Sequence, residues 1–254
     1  MKKSILPLLL LLVSFVTISA IKAGGRGAAT VAGVRTEVIS EDSSARTDAT
    51  AVATNMASIA ATAYGQLGLD ALGLSKEAFI YAYKGLQNLT AQGAVVNQDV
   101  LTVIDFSQSS AKKRMYIVDL KEMKVLFNTY VAHGKNSGLQ YAERFSNQNE
   151  SLQSSLGFYV TKGTYMGKHG ISLRLSGKEA GWNSNAEARA VVLHGAEYIG
   201  SGRADAAYMG RSWGCPAVPQ AQVKTVINLI KDGTALFIYH PTQKYISSSK
   251  LINS

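Results

Sequence analysis

Cysteine is nearly missing from this chain: Cys215 is the only one in 254 residues. No internal disulfide is available, so the thiol is free, bridged to another molecule, or buried as a small hydrophobe. No pair of cysteines and no close-set histidines have metal-ligand spacing, which leaves a metal-dependent reading without support. A nucleotide-binding glycine pattern is also lacking, as is any internal repeat, and no cofactor is expected. Basic stripes interleaved with aromatics are absent too, so nucleic acid is a poor candidate partner despite a net charge of +9.

What the chain does have begins at its first residue. Lys2 and Lys3 precede an apolar run from Ile5 to Ile18, with small residues at Ser19, Ala20 and Ala23, so residues 1–23 read as an export signal. The run is short for a spanning helix of roughly 20 residues. Cleavage is favoured over a retained anchor, with no stable membrane span afterwards, and no cysteine follows to accept a lipid. The expected location is the periplasm or cell envelope, and a monomer is expected. Without Lys2, Lys3 and Lys22, 23 basic residues face 17 acidic ones, and the remaining +6 favours anionic partners such as an envelope or wall polymer.

Residues 24–55 are rich in Gly, Ala, Ser, Thr and Arg without apolar periodicity, which predicts a flexible leader. A helical N-terminal segment is expected over 56–98. Its first part is interrupted by Gly65, Gly68 and Gly73, which predicts short helices. Ser75 to about Gln92 is the better helix, with Ser75 as N-cap, Glu77 in the first turn, a face of Phe79, Ala82, Tyr83, Leu86 and Leu89, and Gly93 as the stop. It reads as a brace packed on the domain that follows.

From 99 to 242 the pattern is mainly β. Strand-like runs lie at Leu101–Phe106, Arg114–Leu120, Val125–Val131, Leu156–Thr161, Ile171–Leu175, Ala190–His194 and Ala235–Tyr239. One helix is expected from Gln220 to Lys231, with Val223, Val226, Ile227 and Ile230 on its face and Gly233 after it. Residues 243–254 are read as a C-terminal tail.

Chemistry must come from Cys215 and from His133, His169, His194 and His240. A cysteine nucleophile needs a base or an imidazolium partner, because a free thiol is only slightly ionised at neutral pH. Histidine titrates near that pH. His194 is best placed, at the end of Val191-Val192-Leu193 and followed by Gly195. His133-Gly134, after Tyr130-Val131-Ala132, is built the same way. Around the cysteine, Gly210, Ser212, Gly214 and Pro216 predict a tight irregular loop whose backbone N–H groups converge near the sulfur, as an oxyanion requires. An ordinary turn that happens to hold a cysteine fits the same residues equally well.

His194-Gly195 followed by Ser212-Trp213-Gly214-Cys215 resembles the His-Gly and Ser-His-Gly-Cys signature of the murein L,D-transpeptidase catalytic domain, in a branch carrying Gly210-Arg211-Ser212-Trp213-Gly214-Cys215-Pro216. Similar runs include Ile104-Asp105-Phe106, Val131 to Gly138, Ser154 to Phe158 and Lys168-His169-Gly170, and the resemblance covers about residues 75–242. It implies an L,D-transpeptidase-like β-sandwich or flattened barrel with a few helices. It also implies Cys215 as nucleophile, His194 as base, the Gly195 carbonyl as the group orienting the imidazole, Ser212 as support, and N–H groups around Gly214 and Cys215 as oxyanion donors.

Peptidoglycan stem peptides are the implied donor and acceptor. The carbonyl between the third residue and a terminal D-Ala would be transferred through a thioester to an amine. With water as acceptor the site would be an L,D-carboxypeptidase; another cysteine hydrolase and a non-catalytic wall-binding module are the remaining alternatives. Lys168, Arg174, Arg211, His169 and Trp213 are candidate substrate contacts. Trp213 stands where the signature commonly has histidine, Pro216-Ala217 replaces an apolar residue followed by Arg or Asn, and the His194 to Cys215 interval is longer than in many members.

Overall fold

The computed structural model describes residues 42–203 and 205–253. The expected signal and the first part of the expected leader, 1–41, lie outside the described residues. Runs rich in apolar side chains, several of them buried along their whole length, build eight strands: β1 (Val100–Asp105), β2 (Met115–Asp119), β3 (Lys124–Thr129), β4 (Gly157–Gly167), β5 (Gly170–Gly177), β6 (Val192–Ala196), β7 (Ala217–Pro219) and β8 (Ala235–Tyr239). They form one sheet in the order β3-β2-β1-β8-β4-β5-β6-β7. β1 with β8 and β6 with β7 are parallel; the other neighbours are antiparallel. Just past β3, Ala132 bridges back to Ala217 with an N–H···O bond of 2.8 Å. That contact brings the two ends of the sheet together, and the flattened-barrel expectation is met as a nearly closed, barrel-like sheet with a few helices.

Each of the seven expected strand regions holds a strand, and β7 was not among them because three residues are too few to show a period. The strand expected at Ala190–His194 runs two residues later, so His194 lies in its middle rather than at its end.

Two helices lie ahead of the sheet. α1 (Asp42–Gln66) occupies the second half of the expected leader and most of the region expected to hold broken short helices. Alanine, the best helix former, recurs along it, and Gly65 falls in the last turn, where its conformational cost is small. No helix among the described residues is long and apolar enough to cross a membrane.

α2 (Lys76–Ala91) follows the sequence closely. Ser75 Oγ accepts the Ala78 N–H at 3.3 Å, and the Ser75 N–H is held by the buried Asp105 carboxylate at 3.2 Å, which ties the helix start to the end of β1. Gly93, at φ +65°, closes the helix: its N–H bonds to Thr90 O and the Ala94 N–H to Leu89 O. Phe79, Ala82, Leu86 and Leu89 are buried, and the helix packs on β1 and β8.

α3 (Val223–Ile230) links β7 to β8 and buries the expected Val223, Val226, Ile227 and Ile230. The expected C-terminal tail is instead two short helices, α4 (Gln243–Ser248) and α5 (Lys250–Asn253), with Tyr245, Leu251 and Ile252 buried. Helices this short show no readable periodicity. Their anchor is the buried Glu179, which accepts from Tyr245 Oη at 2.8 Å, from Ser249 Oγ and from the Phe158 N–H at 2.8 Å.

Gly85 in α2 faces the Phe158 ring, which stacks on Phe237 at 4.2 Å between centroids. A Cβ there would lie 2.0 Å from Phe158 Cζ. Gly85→Ala is expected to destabilise by about 1–3 kcal/mol through overpacking, despite alanine's better helix propensity; a melting temperature equal to or above wild type would contradict this packing.

Candidate active site

The parallel pairing of β6 with β7 sets His194 opposite Ala217, and the His194 N–H reaches Pro216 O at 3.3 Å. The residue just before Pro216 is Cys215. The twenty residues between His194 and Cys215 thus return the chain to its starting point. Both side chains line one cavity of about 700 Å³ with Ser212, Trp213, Arg211, His169 and Lys168.

His194 Nδ1 lies 2.8 Å from the carbonyl oxygen of Gly195. A carbonyl only accepts, so Nδ1 carries the proton and Nε2 is left as the basic nitrogen. A Cβ on Gly195 would meet Gln220 Oε1 at 2.3 Å and Val223 Cγ1 at 3.0 Å, so the Gln220 side chain would have to shift to admit one. The His169 ring, at the β4–β5 turn, stacks on His194 with centroids 4.5 Å apart and planes 22° apart. Burial pushes the His194 pKa below its ordinary value; the Gly195 bond opposes this and the neighbouring His169 adds to it. A neutral, proton-accepting imidazole is the result.

Cys215 is half-buried. Its sulfur accepts the Val192 N–H at 3.4 Å and its thiol points to Ala190 O at 3.7 Å. Burial pushes the thiol above its ordinary pKa, opposed by the Val192 N–H and by the positive charge of Arg189. The thiol's hydrogen bonds are to these two backbone groups and none is to His194, so this is a resting arrangement in which the sulfur is protonated.

Ser212 organises the loop. Its Oγ donates to Cys215 O at 2.6 Å and accepts the Gly214 N–H at 3.1 Å. The loop is also fixed from outside, by Ser212 N–H to His133 O at 2.9 Å and Lys135 N–H to Ser212 O at 2.8 Å. The Gly214 N–H is consequently spent within the loop and is not an oxyanion donor, contrary to the expectation from sequence. The neighbouring Cys215 N–H has no hydrogen-bond partner among the described residues. Gly214 itself sits at φ +126°, where a side chain is strained, and a Cβ would press to 2.9 Å from Gln153 O.

The substrate candidates separate. Trp213 is 75% exposed at the cavity rim, with Lys135 Nζ 5.5 Å from its ring centre. Arg211 is largely occupied: Nη1 donates to Lys135 O at 3.0 Å and to Gly138 O at 3.3 Å, and its guanidinium lies 4.9 Å from the Tyr208 ring. Arg174 does not line the nucleophile's cavity. It stacks at 4.5 Å on Tyr165 in an adjoining cavity of about 380 Å³. Arg189 was missed by the sequence reading: in Ala-Glu-Ala-Arg-Ala it looks like any solvated helical cation, yet it lines the cleft beside the cysteine.

His133, the rival base, is fully buried. Arg114 Nη2 lies 2.8 Å from its Nδ1 and Gly138 O 3.3 Å from its Nε2. Because the guanidinium only donates, Nδ1 must accept, so the ring is neutral by construction. Burial first, then the Arg114 charge, push its pKa down to about 3. The unfolded chain protonates this group near pH 6.5, so folding loses stability as pH falls from there towards 3, with the unfolded state binding the extra proton. Between pH 7 and 5 this amounts to about 2 kcal/mol. Urea unfolding of His133→Asn is expected to show a pH dependence smaller by that amount; equal slopes in the two proteins would show that His133 titrates normally in the fold.

The description "L,D-transpeptidase catalytic domain" matches residues 70–239, more than half of the chain. No curated protein sequence matches. Similar solved structures include an L,D-transpeptidase from Mycobacterium smegmatis (13% identity, 56% of this chain and 59% of that one, TM-score 0.35). Others are from Xylanimonas cellulosilytica (16%, 54% and 59%, 0.31) and Stackebrandtia nassauensis (13%, 71% and 76%, 0.35). The chain spans 59% of the length of each of the first two. With the matched segment running from before α2 to the end of β8 and enclosing the whole cleft, this chain belongs to the L,D-transpeptidase catalytic domain family.

Proposed function

We propose that the protein is a cysteine acyltransferase acting on peptidoglycan stem peptides, exported by residues 1–23 and working as a monomer in the cell envelope. The observation that carries this reading is the His194 tautomer: Nδ1 is tied to Gly195 O, which leaves Nε2 as a base on the same cavity wall as the only thiol. A substrate entering the cleft displaces the thiol from Ala190 O. His194 Nε2 then takes the sulfur's proton, and the thiolate attacks the carbonyl between the third residue and terminal D-Ala.

The oxyanion develops against the Cys215 N–H. His194 returns the proton to the leaving amine, D-Ala departs and a thioester to Cys215 remains. An amine of a second stem, deprotonated by His194, attacks the thioester to form the crosslink and regenerate the thiol. Water in place of the amine gives the shortened stem.

Arg174, held flat on Tyr165 and free of any ion pair among the described residues, is proposed to receive a stem-peptide carboxylate in the adjoining cavity. Lys168 and Trp213 flank the main cavity as further contacts, and His169 supports His194 by stacking.

Mass spectrometry of muropeptides incubated with wild type and Cys215→Ala tests the reaction. Crosslinked dimers formed only by the wild type are expected; shortened stems alone would make it a carboxypeptidase, and identical products from both proteins would remove either activity. His194→Ala is expected to cost about 10²–10⁴-fold in kcat/KM. Arg174→Ala is expected to weaken use of stems carrying a free carboxylate more than of their amidated counterparts, and an equal loss on both would reject that contact.

A further inference from the structure

Arg189 makes four hydrogen bonds into residues 146–155: Nη1 to Ser146 O at 2.7 Å and to Ser155 Oγ, Nη2 to Ser151 Oγ at 3.1 Å and to Gln153 O at 2.7 Å. Neither of the two ion pairs among the described residues involves it, so its charge is not neutralised by a carboxylate. The segment it grips needs holding. Glu150 and Leu152 both sit in the left-handed region, at φ 57° and 56°, which is costly for residues with side chains.

The same segment forms the floor of the nucleophile loop. Ser154 Oγ donates to Gly214 O at 3.3 Å, and a Cβ on Gly214 would lie 2.9 Å from Gln153 O and 3.4 Å from Arg189 Nη2. The guanidinium is thus packed against the residue immediately before Cys215. From its other end, Arg189 leads directly into Ala190, held at φ 52°, whose carbonyl receives the resting thiol.

We infer that Arg189 is a positioning residue for the nucleophile: it clamps residues 146–155 as the cleft wall beneath Gly214 and presents its charge to the Cys215 thiolate. The other ionisable groups around the sulfur are His194 on β6, Tyr165 on β4, His169 and Lys168 at the β4–β5 turn, Glu150, Tyr198 and Arg211 on loops, and the buried Tyr159. Against the dominant effect of burial, the Arg189 charge favours the thiolate, and the guanidinium, itself disfavoured by burial, is supported in turn by Tyr159 and by the Cys215 thiolate. A fork with donors on two nitrogens is what allows one side chain to bind four separate groups while lining the cleft, which a single ammonium does not do. The catalytic meaning of this arrangement rests on the acyltransferase reading; the reactivity of the thiol does not, and is measured without any wall substrate.

The test follows the rate of Cys215 alkylation by iodoacetamide against pH in the full chain, with amide hydrogen exchange across 146–155. Arg189→Met is expected to raise the midpoint of the thiol profile by about one pH unit, about a tenfold slower reaction at a fixed pH below it. Arg189→Lys, which keeps the charge and loses the fork, is expected to recover most of that loss, while both variants exchange faster across 146–155. A wild-type profile in Arg189→Met, or equal midpoints in the two variants, would overturn the electrostatic role. Unchanged exchange in Arg189→Lys would overturn the clamp. If the methionine variant does not fold, the lysine variant decides: a midpoint near wild type with faster exchange is expected, and a full unit's shift overturns the inference.

Discussion

The site depends on one short pairing, three residues of β6 running parallel to three of β7. Parallel neighbours cannot be joined by a tight hairpin, so the chain must travel away from His194 and come back. It spends residues 197–216 on that excursion, and the last of them, the Ser212 to Pro216 loop, is delivered against the strand it left. The catalytic geometry is therefore a by-product of backbone ladder bonds, and any slip in the register of β7 would move the sulfur relative to the imidazole.

Around that pairing the protein arranges opposite influences on proton affinity. Burial disfavours both the thiolate and the imidazolium, leaving thiol and neutral histidine at rest. The groups that counter burial at the sulfur are the Val192 N–H and the Arg189 charge. For the acyl transfer proposed above, a cavity that discourages charge at rest and keeps donors near the sulfur would favour the reacting state over the ground state. His133, built into a similar His-Gly dipeptide, illustrates the alternative outcome: there burial first, and then the charge of Arg114, which donates to the ring, take away its basicity.

Much of this was readable beforehand, and the reasons are local. α2 announced itself because cap, face and stop residues all agreed, whereas one thiol and four histidines favoured His194 over His133 only weakly, and the Cys215–His194 pair came from the resemblance to the L,D-transpeptidase signature. α1 was hidden because alanine, serine and threonine mixed evenly give composition without a stripe. α4 and α5 were hidden by length, and β7 by being three residues long. At the site, a supporting role for Ser212 was implied only by the resemblance, and its capture of the Gly214 N–H was not legible at all, since a hydroxyl's choice between partners is settled only by loop geometry. Arg189 left no trace in one dimension because its value lies in which carbonyls a distant loop brings to it.

The tie between Ser75 and Asp105, the Gly85–Phe158 contact and the Asn88 bond to Leu251 O at 2.9 Å have a joint consequence for where the catalytic unit begins and ends. α2 covers the aromatic layer of β4 and β8 and is itself clasped by the chain's last helix. A boundary drawn at the first strand would strip that cover and expose Phe158 and Phe237 to water. The sheet's aromatic layer is thus covered by an element from ahead of the strands, which is held in turn by one from after them.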